Sequence, residues 1–269
     1  MFKNCKYFID AHAHLGYWPT LKSAKDVLIK STEKNKIDFT LLSFDGSEFF
    51  CTRGDKLTSQ LIGSKKALHF CKSFPNKFGM LIWVRPNTEK NIEELDSFIK
   101  KHRNFIYGIK YHPWCSQLRI NSPKVIPYLE LARKYDLPVL VHTANDKFSN
   151  IKYLDRCMDK FPDLTFIAAH CILETDHQKI IQTLKKYHNL YCDTAWVDIN
   201  FINSLKKEKL MDRVMFGTDN PIDSYRTLDE EIYQNYFNNT INLNKTDYNK
   251  LMWKNATLVY KISTKTFKS

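Results

Sequence analysis

The chain alternates between two kinds of segment, and this narrows its fold more than any other feature. Short β-branched, aromatic or aliphatic runs recur at 7–12, 37–44, 78–84, 105–111, 138–143, 164–170, 189–195 and 213–219. Between them lie stretches with helical spacing of apolar residues, at 23–35, 56–74, 91–102, 123–135, 150–160, 175–187 and 200–209. Runs such as "FGMLIWV" (78–84) are apolar throughout, which suits parallel strands buried on both faces. Strand–helix alternation at this length leaves a doubly wound open sheet or a (β/α)8 barrel. No glycine-rich phosphate loop follows any run, and the chain holds only seven glycines, which disfavours a dinucleotide-binding sheet. The unusual polar residues stand at the C-terminal ends of the runs, where barrels build active sites. The expected fold is therefore α/β, a (β/α)8 TIM barrel forming a single domain over residues 1–269, with C-terminal extra helices from about 225 to 260 packed outside it. The stretch 20–33, with Ser23 as its start signal, reads as a helix, and the long loop 45–56 is expected over the barrel mouth.

Composition limits the partners. The net charge is +12, but the lysines are spread along the chain, and pairs such as those at 65, 100, 185 and 206 sit on amphipathic stretches as solvated faces. No nucleic acid is expected; the positive field would instead steer an anionic small-molecule substrate. No stretch approaches the ~18 apolar residues of a membrane span, and the polar "DAHAH" arrives by residue 10, so neither a membrane segment nor a signal peptide is read. Seven cysteines, odd in number and without a C-x-x-C pair, point to reduced thiols in a cytoplasmic protein. The oligomeric state is left open, a homo-oligomer included.

The ends of the runs carry the chemistry. The first ends in His12-Ala-His14, whose side chains, two apart on a strand, share a face. Two imidazoles so close would repel if both were protonated, and a shared metal ion resolves that. The fourth run gives Lys110 and His112, the fifth His142, the sixth His170 and the eighth Asp219. Each alone has a plain structural explanation: His170 as a helix cap, Asp219 as a turn residue before Asn-Pro, Lys110 snorkelling from a strand end. Together they lie at one end of one barrel, and histidine dominates the set in a chain with only nine. That convergence favours a metal site.

The motifs D-x-H-x-H-L (10–15), G-I-K-x-H-P (108–113), V-H-T (141–143), A-A-H-C (168–171) and F-G-T-D-x-P (216–221) occur in this order. As a set they resemble the amidohydrolase superfamily, and most of all its branch related to aminocarboxymuconate-semialdehyde and resorcylate decarboxylases. The tail "LMWKNATLVYKI" (251–262) is similar to the helix that closes such chains. The resemblance implies a (β/α)8 barrel holding a divalent ion, usually Zn2+. It implies His12, His14, His142 and Asp219 as metal ligands, with Asp219 also handling the proton of the metal's water. His170 would face that water or the scissile group. A single ion is preferred; in two-metal relatives a strand-four lysine is carboxylated and bridges the ions, and Lys110 stands at that place. A related nuclease branch carries glutamate there, so Lys110 weakens a nuclease reading.

The donor chemistry agrees. Three neutral imidazoles and one carboxylate suit Zn2+ with an open position for water, whose pKa falls toward ~7 on the ion. Asp219 could then act as base and His170 could stabilise an oxyanion. Asp10 orients either a ligand imidazole or the strand-one backbone. Lys110, His112, Trp114 and Arg53 are the candidate substrate contacts. Arg53 and Arg85 could each hold a carboxylate, and Trp18, Trp83, Trp114 and Trp196 could build an aromatic pocket or belong to the core. The leading expectation is a zinc-dependent hydrolase of a small amide, ester or lactone, the alternative a metal-dependent decarboxylase of an unsaturated or aromatic acid. A metal-free binding protein on an enzyme fold stands third, since fold does not fix function.

Overall fold

Eight parallel strands stand side by side in chain order: β1 (Ile9–Gly16), β2 (Phe39–Asp45), β3 (Phe78–Val84), β4 (Ile106–Tyr111), β5 (Val139–Val141), β6 (Phe166–Ala168), β7 (Leu190–Asp193) and β8 (Val214–Met215). The structure, a computed structural model, describes residues 5–16, 20–45, 59–89, 91–221 and 227–268. Although β8 is only two residues long, the backbone beyond it closes the sheet on β1. The amides of Ala11 and His14 donate to the carbonyls of Phe216 and Asn220 at 2.9 and 2.8 Å, and those of Thr218 and Asp219 donate to the His12 carbonyl at 3.1 and 2.7 Å. The sheet is thus a barrel, as the alternation predicts.

Helices follow the strands: α1 (Leu21–Lys34), α2 (Gln60–Ser73), α3 (Ile92–His102), α4 (Pro113–Ser116), α5 (Ile126–Lys134), α6 (Ile151–Lys160), α7 (Gln178–Lys186) and α8 (Phe201–Lys207). The first begins two residues before Ser23; the cap is Thr20, whose hydroxyl accepts from the Ser23 amide at 3.1 Å. Asn91 and Asn150 cap α3 and α6 in the same way. The short α4 lies between the expected strand 105–111 and helix 123–135; Pro113 opens it and the His112 ring caps it, accepting from the Cys115 amide at 3.3 Å.

Two apolar layers hold the barrel. Leu42, Met80, Ile82, Tyr111, Val139 and Val141 face outward to the helices, and Ile9, Phe39, Leu41, Leu81, Leu140, Ile167 and Met215 fill the interior. Each such side chain contributes about 1.5–3 kcal/mol on full burial. The expected extra helices are α9 (Glu231–Asn238), α10 (Lys245–Asn249) and α11 (Asn255–Tyr260). They do more than pack outside: Ala256, Val259, Tyr260 and Ile262 join the interior layer and close one end of the barrel. The polar strand ends occupy the other.

Within β1 the register slips between Asp10 and Ala13, so Ala11 and His12 together oppose the single residue Leu41 of β2. This bulge brings both histidines to the interior after the apolar Ile9 and Ala11. Asp10, fully buried, pins it: Oδ1 accepts from the amides of His12 and Thr218, both at 3.1 Å, and Oδ2 from the Thr218 hydroxyl at 2.6 Å. Of its two expected roles, Asp10 holds the backbone. Burial raises its carboxyl pKa to about 7, against the pull of the Thr218 hydroxyl.

Candidate metal centre

Three side chains meet at one point. His12 Nε2 and His14 Nε2 lie 3.2 Å apart, and Asp219 Oδ1 sits 2.9 Å from the first and 2.8 Å from the second. Nitrogens bound to one ion at ~2.1 Å would stand roughly 3 Å apart, so the donor set fits a divalent cation. His12, His170 and Asp219 also form a group whose ligand atoms all lie within 4.8 Å of one another. The Lys110 ammonium reaches His12 Nε2 at 2.7 Å, which places the strand-four lysine against the same point.

Each ring is oriented by its other edge. His12 Nδ1 stands 2.9 Å from Asp193 Oδ2, so Nδ1 carries a proton and donates it. His170 Nδ1 lies 3.1 Å from the Ala195 carbonyl, which can only accept, so it too is protonated. His170 Nε2 then accepts from His142 Nδ1 at 3.1 Å. The rings of His142 and His112 stack at 3.8 Å and 12°, and Trp83 lies over His112 at 5.6 Å and edge-on to His14 at 5.8 Å. A planar aromatic wall therefore flanks the three convergent donors.

The electrostatics follow from burial and the carboxylates. Burial lowers the pKa of His14 and His170 to about 4 and holds His112 and His142 well below the usual histidine value. At His12 burial and Lys110 push downward, but Asp193 and Asp219 outweigh them and raise the value to about 9. Asp219 is held well below the carboxylate range; burial opposes ionisation, yet His12, His170 and His14 overcome it. Backbone strain gathers at the same place. His170, Cys171, Ile172, Trp196 and Asp219 all have φ between 45° and 72°, conformations that cost non-glycine residues about 1–3 kcal/mol each and cluster at functional sites.

The amidohydrolase family model matches residues 9–262, nearly the whole chain. The chain belongs to the amidohydrolase family. No curated protein sequence matches it. Among solved structures, it is similar to a 5-carboxyvanillate decarboxylase from Novosphingobium aromaticivorans with bound manganese and 3-methoxy-4-hydroxy-5-nitrobenzoic acid, at 13% identity and TM-score 0.69, covering 97% of this chain and 99% of that one. It is also similar to a probable 2-pyrone-4,6-dicarboxylic acid hydrolase from Acinetobacter baumannii with citric acid bound, at 15% identity and TM-score 0.67, covering 96% and 100%. A 2,6-dihydroxybenzoate decarboxylase complexed with 2,6-dihydroxybenzoate is similar at 15% identity and TM-score 0.68, covering 95% and 99%. At these identities the likeness is one of fold.

On this amidohydrolase barrel the expected site residues separate. His12, His14, Asp219 and Lys110 converge, and His170 is within reach of them. His142 contacts His170, on the side of His112. Trp114 is 51% exposed at the rim, its ring 6.2 Å from Phe148. Arg85 is buried beside Glu89, with 3.7 Å between Nη1 and Oε1. Arg53, Trp18 and most of the 45–56 loop lie outside the described residues. One participant was missed. Asp193 stands at the end of β7, so the strand-end rule could have found it. Trp196, expected as pocket or core, donates Nε1 to Asp219 Oδ2 at 3.1 Å, a bond for which the sequence carries no signal. All six cysteines among the described residues are free, and no helix among them is long and apolar enough to cross a membrane.

Proposed function

We propose that the chain is a metal-dependent decarboxylase of a planar aromatic or unsaturated carboxylic acid. The observation that carries the metal reading is the meeting of His12 Nε2, His14 Nε2 and Asp219 Oδ1 within 3.2 Å. Those three residues hold one divalent ion, Zn2+ or Mn2+. His142, expected as a fourth ligand, lies on the His170 side of these three, its Nδ1 proton given to His170, and its Nε2 would keep a lone pair for a metal. When bound, the ion supplies positive charge for an anionic substrate and lowers the pKa of water toward ~7. Fold likeness to two decarboxylases of hydroxylated aromatic acids, and the flat wall of Trp83, His112 and His142, support decarboxylation over the hydrolysis expected first.

The chain's own residues have separable tasks. The aromatic wall orients the planar acid, and Trp114 stands at the entrance. The bond between the ring carbon and the carboxylate breaks, its electron pair stays on that carbon, CO2 leaves and one proton is added there. Asp219 carries that proton, while His170, expected to face an oxyanion, has its Nδ1 proton on the Ala195 carbonyl and its Nε2 accepting from His142, so it keeps no N–H for one. Hydrolysis of a lactone is the second reading, favoured by the likeness to a probable pyrone dicarboxylate hydrolase; there Asp219 takes the proton of the attacking water.

The test offers Zn2+- or Mn2+-loaded protein a panel of hydroxybenzoates, unsaturated diacids and lactones in D2O. Decarboxylation releases CO2 and leaves one non-exchanging deuterium on the product carbon. Turnover of lactones alone overturns the lyase reading, and an inert protein that binds no metal overturns both.

A further inference from the structure

One carboxylate touches both halves of the site. Asp193, fully buried at the end of β7, places Oδ2 2.9 Å from His12 Nδ1, while Oδ1 accepts from the amides of His170 at 2.9 Å and Ala195 at 3.1 Å. We infer that Asp193 is a positioning residue that sets the tautomer of His12 with one oxygen and holds the backbone of His170 with the other. The inference rests on the metal reading above for its first half only.

The first half follows from hydrogen-bond chemistry. An ionised carboxylate only accepts, so a His12 proton stays on Nδ1, and Nε2, which faces His14 and Asp219, is the nitrogen that would give its lone pair to a metal. The second half follows from strain. His170 has φ 65°, and two residues that follow it are also in the left-handed region, at 45° and 72°. Such a turn persists only where its surroundings hold it, and the bond from the His170 amide to Asp193 Oδ1 ties it to the neighbouring strand, while the Ala195 amide fixes the same oxygen from its own segment. The fold makes room for this tether. Gly217, beside β8, has no side chain; a Cβ there would lie 2.9 Å from the Cβ of His12 and 3.2 Å from that of Asp193. Only glycine lets the two residues approach across that segment.

Two variants separate the halves. Asp193→Asn can keep a carbonyl oxygen toward the His170 and Ala195 amides, but it turns an N–H donor toward His12 Nδ1 and disfavours the tautomer that leaves Nε2 free. Asp193→Ala removes both contacts. Zn2+ affinity, measured against a chelating dye, should fall 10–100-fold in Asp193→Asn, while hydrogen exchange of the His170 amide, relative to that of amides elsewhere in the barrel, stays close to wild type. Asp193→Ala should lose Zn2+ affinity and also exchange the His170 amide at least tenfold faster. Asp193→Asn binding Zn2+ within threefold of wild type overturns the tautomer half. Unchanged exchange in Asp193→Ala overturns the tether half. A wild type that takes up no Zn2+ overturns the metal reading itself, and the exchange measurement still decides the tether.

Discussion

The indole Nε1 of Trp196 donates to Asp219 Oδ2 at 3.1 Å, and both residues hold left-handed backbone, with φ of 60° and 62°. Indole nitrogen is a donor only, so this bond always presents a proton to the carboxylate. It fixes one oxygen and leaves Oδ1 to His12 and His14. Trp196 is itself anchored, its amide donating to the Tyr233 hydroxyl at 3.1 Å. The two strained residues thus brace each other across the mouth of the barrel.

Trp196→Phe keeps an aromatic ring and removes the donor. A poorly solvated carboxylate oxygen left without its partner costs about 1–3 kcal/mol. The expected outcome is a Zn2+ affinity about tenfold weaker, with near-wild-type far-UV circular dichroism. Titration against a chelating dye checks it, and unchanged affinity would show that Asp219 needs no brace.

His12→Ala and His14→Ala should each lower metal content and shrink the rise in melting temperature that added Zn2+ gives, because a ligand bound to the native state stabilises it by mass action. Elemental analysis and melting curves with and without metal read both effects. Full occupancy in either variant would remove that histidine from the ligand set.

Much of this arrangement is legible in the sequence because barrel chemistry sits at strand ends, and strand ends are easy to find when each strand is an apolar run. His12, His14, His170, Lys110 and Asp219 were all located by that rule. It works less well where partners come from distant segments. Asp193 stands 181 residues from His12 and 23 from His170, and "LYCDTA" carries no histidine to draw attention to it. The bulge in β1 is invisible too, since strict alternation already places His12 and His14 on one face without it. The eighth run reads as seven residues, yet only Val214–Met215 form regular strand, because its remaining backbone pairs with the bulged part of β1. The short α4 was hidden by Pro113, which reads equally as loop or as first turn.

Acid should weaken the metal-free fold. Burial brings His14 and His170 down to about 4, whereas an unfolded histidine titrates near ~6.5. Below that value the unfolded chain binds more protons than the native one, so stability falls as pH drops from about 6.5 toward 4. His12 works in the opposite direction: raised to about 9, its contribution is complete below ~6.5 and is lost as pH rises through 9. Asp10, raised to about 7, opposes the two histidines over the acid interval but counts one proton against two, so urea midpoints of metal-free protein should fall between pH 6.5 and 5 and again between pH 7 and 9. A midpoint flat across the acid interval would show that these histidines are protonated within the fold.

Asp219→Asn separates holding a metal from moving a proton. Asparagine keeps the shape and one carbonyl oxygen, so it can still face His12 and His14, and the histidines supply most of the ligation. It cannot carry a proton at neutral pH. The carboxylate in the native chain is held ionised by His12, His170 and His14 against the cost of burial, and that charge is lost in the variant. The expected protein retains much of its metal while kcat falls on the order of 10²-fold or more, the usual size of a general acid–base contribution. The loss should appear equally in kcat and kcat/KM, since the interaction is made in the transition state. For a decarboxylated substrate, deuterium incorporation from D2O should slow in step with turnover, because one residue is asked to deliver the proton. Metal-loaded Asp219→Asn with near-normal turnover would remove Asp219 from proton transfer. The role would then fall to His170, whose Nε2 lies 3.1 Å from His142 Nδ1 beside the same site.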